Sequence, residues 1–471
     1  MEMIRKYLNE SLVGIIAPAG YGKTEEIADA VNFCSGKQLI LTHTRAGVAA
    51  LRDRMRTKQI KNEKFEIDTI ASFCMKWCKA YPATAKVQIP NKISEMDYLA
   101  IYKGTKTLFS YAWAREVLKQ TYSGLFIDEY QDCTESQHGI FMELNNLIPI
   151  RIFGDPLQGI FYWVKDDKIV NWNSFNFKVI SPLTIPWRWN KTNKDFGLLL
   201  DKLRKKIVIA LDGSDVTINI ENVSRCMTIL SSTQWNNGRF AYGIKNYENI
   251  VYISAFPNKQ KSFSQHNGGF FQCDEVKDFA ETETIIASIE AEKNEKKALI
   301  LLESLKLMIN GIQVELGSYI NNLRKGKSDF SRISKHKDLG KLIEAVCKND
   351  TSESVLKVLR WFGQSTEFKI YRAELFYRIG KTYAYMIDEN TTLHETIEAL
   401  SSQQYFTEKR FPFSRLSSRT VLTKGLEFDC IIIDARDKMD VRDFYVAMTR
   451  AKKYIYIISD ASQLLFKGIH Y

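Results

Sequence analysis

The stretch Ala17-Pro18-Ala19-Gly20-Tyr21-Gly22-Lys23-Thr24 decides how the rest of the chain is read. An apolar run, Leu12 to Ile16, leads into it, and a helix-like run, Glu25 to Val31, follows. Strand, glycine-bearing turn and helix is the setting a phosphate-binding loop requires. Gly20 and Gly22 let backbone N–H groups close around phosphate oxygens. The following helix points its positive end at the anion. Lys23 is placed to reach β and γ phosphates, and the Thr24 hydroxyl to ligate Mg²⁺. Ala17 stands where such loops usually carry their first glycine, a small residue that keeps room in the turn.

Working outward, Gly124-Leu125-Phe126-Ile127 reads as a buried strand that ends in Asp128-Glu129. Alone, that pair is an ordinary acidic helix cap. In a chain with a phosphate loop it is the second half of a nucleotide site. Asp128 would then hold Mg²⁺, and Glu129 would orient and deprotonate an attacking water. Ile148 to Phe153 is another strand, followed by Gly154-Asp155-Pro156-Leu157-Gln158, which puts Gln158 where a polar group senses a γ-phosphate. Phe161-Tyr162-Trp163 comes next. Three aromatics there suit base stacking, and they suit core packing at a domain seam equally well.

Other segments give the frame. Gln38 to Thr42, Met227 to Leu230, Ile250 to Ile253, Cys430 to Asp434 and Tyr454 to Ile458 read as strands. Residues 82–123 are polar with helical stretches and form a small insertion between two strands of one sheet. From about 276 to 405 the pattern is helical, with Leu301, Leu305, Met308, Ile312, Leu316 and Tyr319 on one face at 3.6 spacing. A second stripe is Val355, Leu356 and Leu359. Both read as core.

Composition narrows the class. The 471 residues suggest roughly two to four domains, and 45% hydrophobic content with mixed charge is that of a globular chain. A net charge of +11 and a pI near 9.0 favour a polyanionic partner. The eight cysteines include no CxxC pair and the six histidines no ligand spacing, which argues against zinc and iron–sulfur centres. No apolar run is long enough to span a bilayer, and Met1 to Glu10 lacks a signal-peptide core. The expected compartment is the cytoplasm, with reduced cysteines and no membrane partner.

Taken in order, these segments resemble the superfamily 1 helicases of the UvrD/Rep/PcrA type. Ala17 to Thr24 resembles the Walker A loop, and Asp128-Glu129-Tyr130-Gln131-Asp132 the Walker B hallmark. Gly154 to Gln158 is similar to motif III and Trp187-Arg188 to the Tyr-Arg of motif IV. Lys424-Gly425-Leu426-Glu427-Phe428-Asp429 resembles motif V, and Tyr445-Val446-Ala447-Met448-Thr449-Arg450-Ala451 motif VI. The resemblance spans residues 12 to 458, with almost nothing from 205–410.

The resemblance implies an α/β protein, with two RecA-like parallel-sheet P-loop NTPase domains and helical insertions. The first domain takes 1–77 and 124–185, and the second 186–275 and 406–471. The insertions are 78–123 and 276–405. ATP and Mg²⁺ would lie in a cleft, with Arg188 and Arg450 as arginine fingers, Trp187 stacking on adenine, and Glu427 on the ribose or a phosphate-side water. Single-stranded DNA would cross Thr42, Thr44 and Arg45, then Thr69, Ser72 and Phe73, with Phe161 and Trp163 stacking on bases. The implied activity is DNA-stimulated ATP hydrolysis with 3′ to 5′ movement and opening of duplex junctions.

Several departures fall mostly on the DNA side. No glutamine precedes the phosphate loop, His43 and Ala46 alter motif Ia, Ala71 replaces a histidine, and Val164-Lys165 stands where an arginine is usual. A compact chain of this kind resembles the small UvrD-like helicases found beside OLD/TOPRIM-type nucleases in anti-phage systems such as Gabija. This implies a nuclease partner in defence, or a place in DNA repair. The altered DNA-side motifs also suit a nucleotide-gated DNA-binding regulatory subunit of such a nuclease, with little unwinding of its own.

Overall fold

Alternating faces of short apolar strands build the first sheet. The computed structural model describes residues 2–90, 95–161, 166–172, 175, 177–181, 183–190, 193–223, 225–236, 243–274, 279–407 and 414–470. Within it, β1 (Leu12–Ile16), β2 (Gln38–Thr42), β3 (Phe65–Thr69), β4 (Gly124–Ile127), β5 (Ile150–Gly154) and β6 (Lys178–Ile180) pair in parallel. Their order is β3-β2-β4-β5-β1-β6. Leu39, Leu41, Leu125, Ile127, Ile150 and Ile152 pack on one side with the helices Ile70–Ala80, Glu95–Ser110 and Glu135–Glu143. Val13, Ile15, Ile40, Phe126 and Phe153 face the other way, toward Lys23–Phe33 and Arg45–Thr57. A parallel sheet covered on both faces needs such near-continuous apolar strands. Because all six run the same way, the carboxyl ends of β1, β4 and β5 share one edge, where α/β sheets take their ligands.

The chain divides into two compact units, Met1–Phe240 with Thr423–Tyr471, and Ala241–Leu422. Besides its sheet, the first unit holds the parallel strands Phe428–Asp434, Ala451–Ile458 and Met227–Leu230, with the helices Lys194–Ile207 and Val441–Thr449. The second unit holds the parallel strands Gln272–Cys273, Arg415–Ser418 and Ile250–Ile253. It also holds a helical body whose core includes Ile286, Leu302, Val358, Phe362 and Tyr383. The chain has two six-stranded sheets, and the fold class is the expected one: α/β, with two RecA-like parallel-sheet domains and helical insertions.

One sequence expectation changes here. Leu301, Leu305, Met308, Ile312, Leu316 and Tyr319 are all buried, but they do not mark one helix. Asn294–Leu305 ends, Ile309–Asn310 pairs as a short strand, and Ile312–Glu315 and Gly317–Arg324 are separate helices. The helix has already ended at Leu305, and Gly311, with a φ of 87°, bars a right-handed helix from running on into Ile312. The stripe survives because three short helices share one core.

Candidate nucleotide site

The glycine turn between β1 and the helix Lys23–Phe33 has a shape only glycine gives cheaply. Gly20 and Gly22 have φ of 77° and 85°. A Cβ on Gly20 would also lie 2.6 Å from the Trp189 ring. Trp189 is fully buried and donates its indole N–H to the Ala451 carbonyl at 2.8 Å, so it cannot yield. The Arg188 N–H donates to the Gly20 carbonyl at 3.0 Å. We expect Gly20→Ala to cost about 1–3 kcal/mol in backbone strain, with a further loss from the clash. Gly326→Ala, at φ 67° with nothing within 4 Å, carries the strain alone. A smaller fall in unfolding midpoint for the second variant checks this.

At the end of β4 the backbone itself is strained. Glu129 is left-handed at φ 57°, and the Asp128 carboxylate accepts its N–H at 2.9 Å. Such a conformation costs about 1–3 kcal/mol in a non-glycine residue and clusters at working sites. It points Glu129 at the loop: Lys23 Nζ lies 2.9 Å from Glu129 Oε1 and 3.8 Å from Asp128 Oδ1. Burial alone would raise Glu129, but Lys23 and then Lys424 outweigh it and hold the carboxyl at about 2. Burial pushes Asp128 the other way, up to about 7, with Lys23 opposing and Glu129 adding. Burial works against the charge on Lys23, yet the two carboxylates keep its pKa above the ordinary lysine value. Gln131 donates to Glu129, and its carbonyl oxygen accepts the Asp155 N–H at 2.9 Å.

The arginines gather at the same place. Arg188 donates to the Thr449 carbonyl at 2.7 Å and pairs with Glu427 at 2.7 Å. Arg450 is 4% exposed. It donates to the Val446 carbonyl, to Thr449 Oγ1 and to Gln158 Oε1, at 3.1 Å each. Among the described residues no carboxylate pairs with it. Burial, then the charge of Arg188, pulls its pKa down to about 10. Gln158 also donates to Asp155 at 3.0 Å. Trp187, 53% exposed, lies with its ring edge 3.2 Å from where a Gly22 Cβ would sit. The sequence-derived candidates Lys23, Asp128, Glu129, Gln158, Trp187, Arg188, Glu427 and Arg450 thus converge around the loop.

Four partners were missed. Fully buried Asp155 accepts from Arg204 at 2.7 Å and from the Tyr445 hydroxyl at 3.2 Å. Lys424 reaches both oxygens of Asp132 at 2.5 Å and the Gln158 carbonyl at 2.6 Å. Asp155, Lys424 and Tyr445 stand inside quoted motifs, whereas Arg204 carries no local signal. Asp155→Ala should cost about 3 kcal/mol in stability, because it leaves the Arg204 charge buried without its partner. Asp155→Ala with Arg204→Met should recover much of that loss in the unfolding midpoint.

No group of three or more His, Cys, Asp or Glu among the described residues could hold a metal. The buried Asp128 carboxylate is an oxygen donor of the kind a hydrated Mg²⁺ takes, and with Thr24 it would supply the protein's share. Residues 1–162 match the family described as AAA domain. That match covers the loop, the β4 carboxylates and Gln158.

The likeness to the AAA domain family thus lies in residues 1–162, about a third of the chain.

Over 79 residues the chain is 35% identical to Gabija protein GajB of Bacillus cereus (strain VD045), 14% of this chain and 16% of that protein. The chain thus matches about a sixth of that curated relative's length. Pif1 helicase from Bacteroides, solved with ADP-AlF3 and ssDNA, is 12% identical. That likeness covers 98% of this chain and 91% of the other, at a TM-score of 0.37. An Arterivirus nonstructural protein 10 (helicase), solved with DNA, is 9% identical over 96% of this chain and 61% of that one, at 0.35. Scores this low place no residue.

On the expected DNA side, the structure sorts the candidates. Thr44 Oγ1 accepts the Gly47 N–H and caps the helix Arg45–Thr57, and Thr69 Oγ1 accepts the Ser72 N–H and caps Ile70–Ala80. Their strands are paired, Thr42 opposite Thr69, so two helix N-termini sit side by side, a setting for backbone phosphates. Arg45 is exposed and Ser72 half-buried. Two expectations are corrected. Thr42 is buried beside Gly47, and Phe73 is 4% exposed, packed on Trp77 and Phe109. Neither side chain can meet a nucleotide, because both point into the helix–sheet core. Phe161 is half-buried with the Lys424 ammonium 5.1 Å from its ring centre. Trp163 lies outside the described residues.

Proposed function

We propose that this chain is an ATP-dependent DNA translocase and helicase that moves 3′ to 5′ on single strands. The observation that carries the reading is Arg450: a buried guanidinium whose hydrogen-bond partners among the described residues are all neutral, beside Arg188, in the unit that holds Lys23. A buried charge of this kind is costly until an anion arrives, and a γ-phosphate is an anion of the right place and charge.

In this reading Lys23 leaves Glu129 for the β and γ phosphates, which frees the carboxylate to take a proton from the attacking water. Arg188 and Arg450 meet the charge that spreads over the phosphoryl oxygens. Gln158, bonded to Arg450, reports whether the γ-phosphate is present. Trp187 offers an exposed ring to the base, and Glu427 exchanges Arg188 for the ribose side. Thr24 and Asp128 would hold Mg²⁺, which neutralises phosphate charge when bound. The domain division proposed is 1–77 and 124–185, then 186–275 and 406–471, with insertions at 78–123 and 276–405.

The setting we propose is cytoplasmic. No helix among the described residues is long and apolar enough to cross a membrane. The likeness to Gabija protein GajB supports an anti-phage role beside an OLD/TOPRIM-type nuclease. The burial of Thr42 and Phe73 favours, as a second reading, a nucleotide-gated DNA-binding subunit that unwinds little.

Phosphate release with and without a dT oligomer tests the main reading: we expect stimulation, and none would sink translocation. A forked-duplex assay separates the two readings, since the regulatory subunit would leave the fork closed.

A further inference from the structure

The helical insertion carries a surface that its own core does not use. On the helix Ile70–Ala80 the buried face is Ile70, Phe73, Cys74 and Cys78, and on Ala112–Thr121 it is Ala114 and Leu118. Trp77 on the first helix, partly buried against the core, and Trp113 on the second lie outside those faces, and Tyr81 follows the first helix directly. Trp77 and Tyr81, one helical turn apart, have ring centres 5.8 Å apart at 34°, and Tyr81 meets Trp113 at 4.7 Å and 60°. Phe109 braces Trp77 edge-on at 5.0 Å. Tyr81 and Trp113 remain 38% and 39% exposed. A contiguous exposed aromatic patch of this kind marks an interaction site.

Charge selects the occupant. Residues 70–123 carry eight Lys and Arg against three Asp and Glu, close to half of the chain's net +11. Lys76 and Lys79 flank Trp77, and Arg115 and Lys119 follow Trp113. Aromatic faces set among cations are the chemistry of single-stranded nucleic acid, whose bases have faces to offer and whose backbone is anionic. Duplex DNA hides those faces.

We propose that Trp77, Tyr81 and Trp113 form a base-stacking platform for single-stranded nucleic acid where the insertion joins the first domain, separate from Phe161 and from the two helix N-termini. The proposal takes its ligand from the translocase reading above. The platform holds strand at the far end of the helix that Thr69 caps, so one helix offers a phosphate site at its start and a base site at its end.

The test compares Tyr81→Ala/Trp113→Ala with Tyr81→Phe/Trp113→Phe, using fluorescence anisotropy with dT20 and with a blunt 20-base-pair duplex. Stacking is worth about 1–3 kcal/mol per base. We therefore expect the alanine pair to bind dT20 about tenfold or more weaker, the phenylalanine pair to retain affinity, and duplex affinity to hold in both. Phosphate release without DNA should not change in either variant. Unchanged dT20 affinity in the alanine pair overturns the platform, including the case in which a protein covers the patch. Equal losses on dT20 and duplex overturn base stacking. If the unaltered chain binds no dT20, the translocase reading falls as well, so the two failures are distinguishable.

Discussion

In an Arg450→Gln variant, phosphate release should fall about 10³-fold or more while nucleotide stays bound. An arginine that meets transition-state charge is worth about 10³–10⁵ in rate, whereas ground-state binding rests on Lys23 and the glycine turn. Stability should move the opposite way from a structural arginine. Among the described residues Arg450 hydrogen-bonds the neutral Val446 carbonyl, Thr449 and Gln158, with the charges of Arg188, Glu129 and Glu427 around it, and keeping an ion buried costs several kcal/mol. Glutamine removes that ion and can still bond Gln158, so the unfolding midpoint should hold or rise. Arg188→Gln makes the contrast. It removes the 2.7 Å partner of Glu427 and leaves that carboxylate Lys452 at 3.8 Å, so the rate should drop and the midpoint fall slightly. If Arg450→Gln lost stability in proportion to activity, the residue would be a strut and the motor reading would lose its support. Nucleotide binding by fluorescence, turnover and a denaturant series settle it.

Glu129→Gln should separate occupancy from turnover. With Lys23 holding Glu129 at about 2, the carboxylate is ionised through the neutral range, ready as a base. The amide keeps the shape and loses the proton acceptor, so we expect a loss of about 10²–10⁴ in phosphate release. Affinity for ATP should rise or stay, because Lys23 no longer has a 2.9 Å competitor for the phosphates. Unchanged turnover would move the base elsewhere.

Much of this was legible because apolar strands in a two-sided sheet are continuous runs with polar ends. Gln38–Thr42, Met227–Leu230 and Ile250–Ile253 begin and stop where the runs do. The glycine turn and the Asp128-Glu129 pair could be read from residue type and order, and both arginines came from the family resemblance alone. What could not be read is long-range partnering and side-chain direction. Nothing local links Arg204 to Asp155, forty-nine positions away. Phe73 looked available because a motif suggested it, but its position on the Ile70–Ala80 helix turns it inward. The helix break between Leu305 and Ile312 escaped because three short helices on one core repeat the spacing of one long helix.

The grip of Arg188 and Trp189 on Gly20 has a consequence for how the site meets its ligand. The glycine turn is held in shape from outside, by a backbone amide on one side and a wedged indole on the other. Little loop ordering is then left for the moment of binding, so association should be fast and its entropy loss small. Deuterium uptake at residues 17–24 should already be slow without nucleotide, and it should quicken together with that of 187–190 when Trp189→Ala removes the wedge.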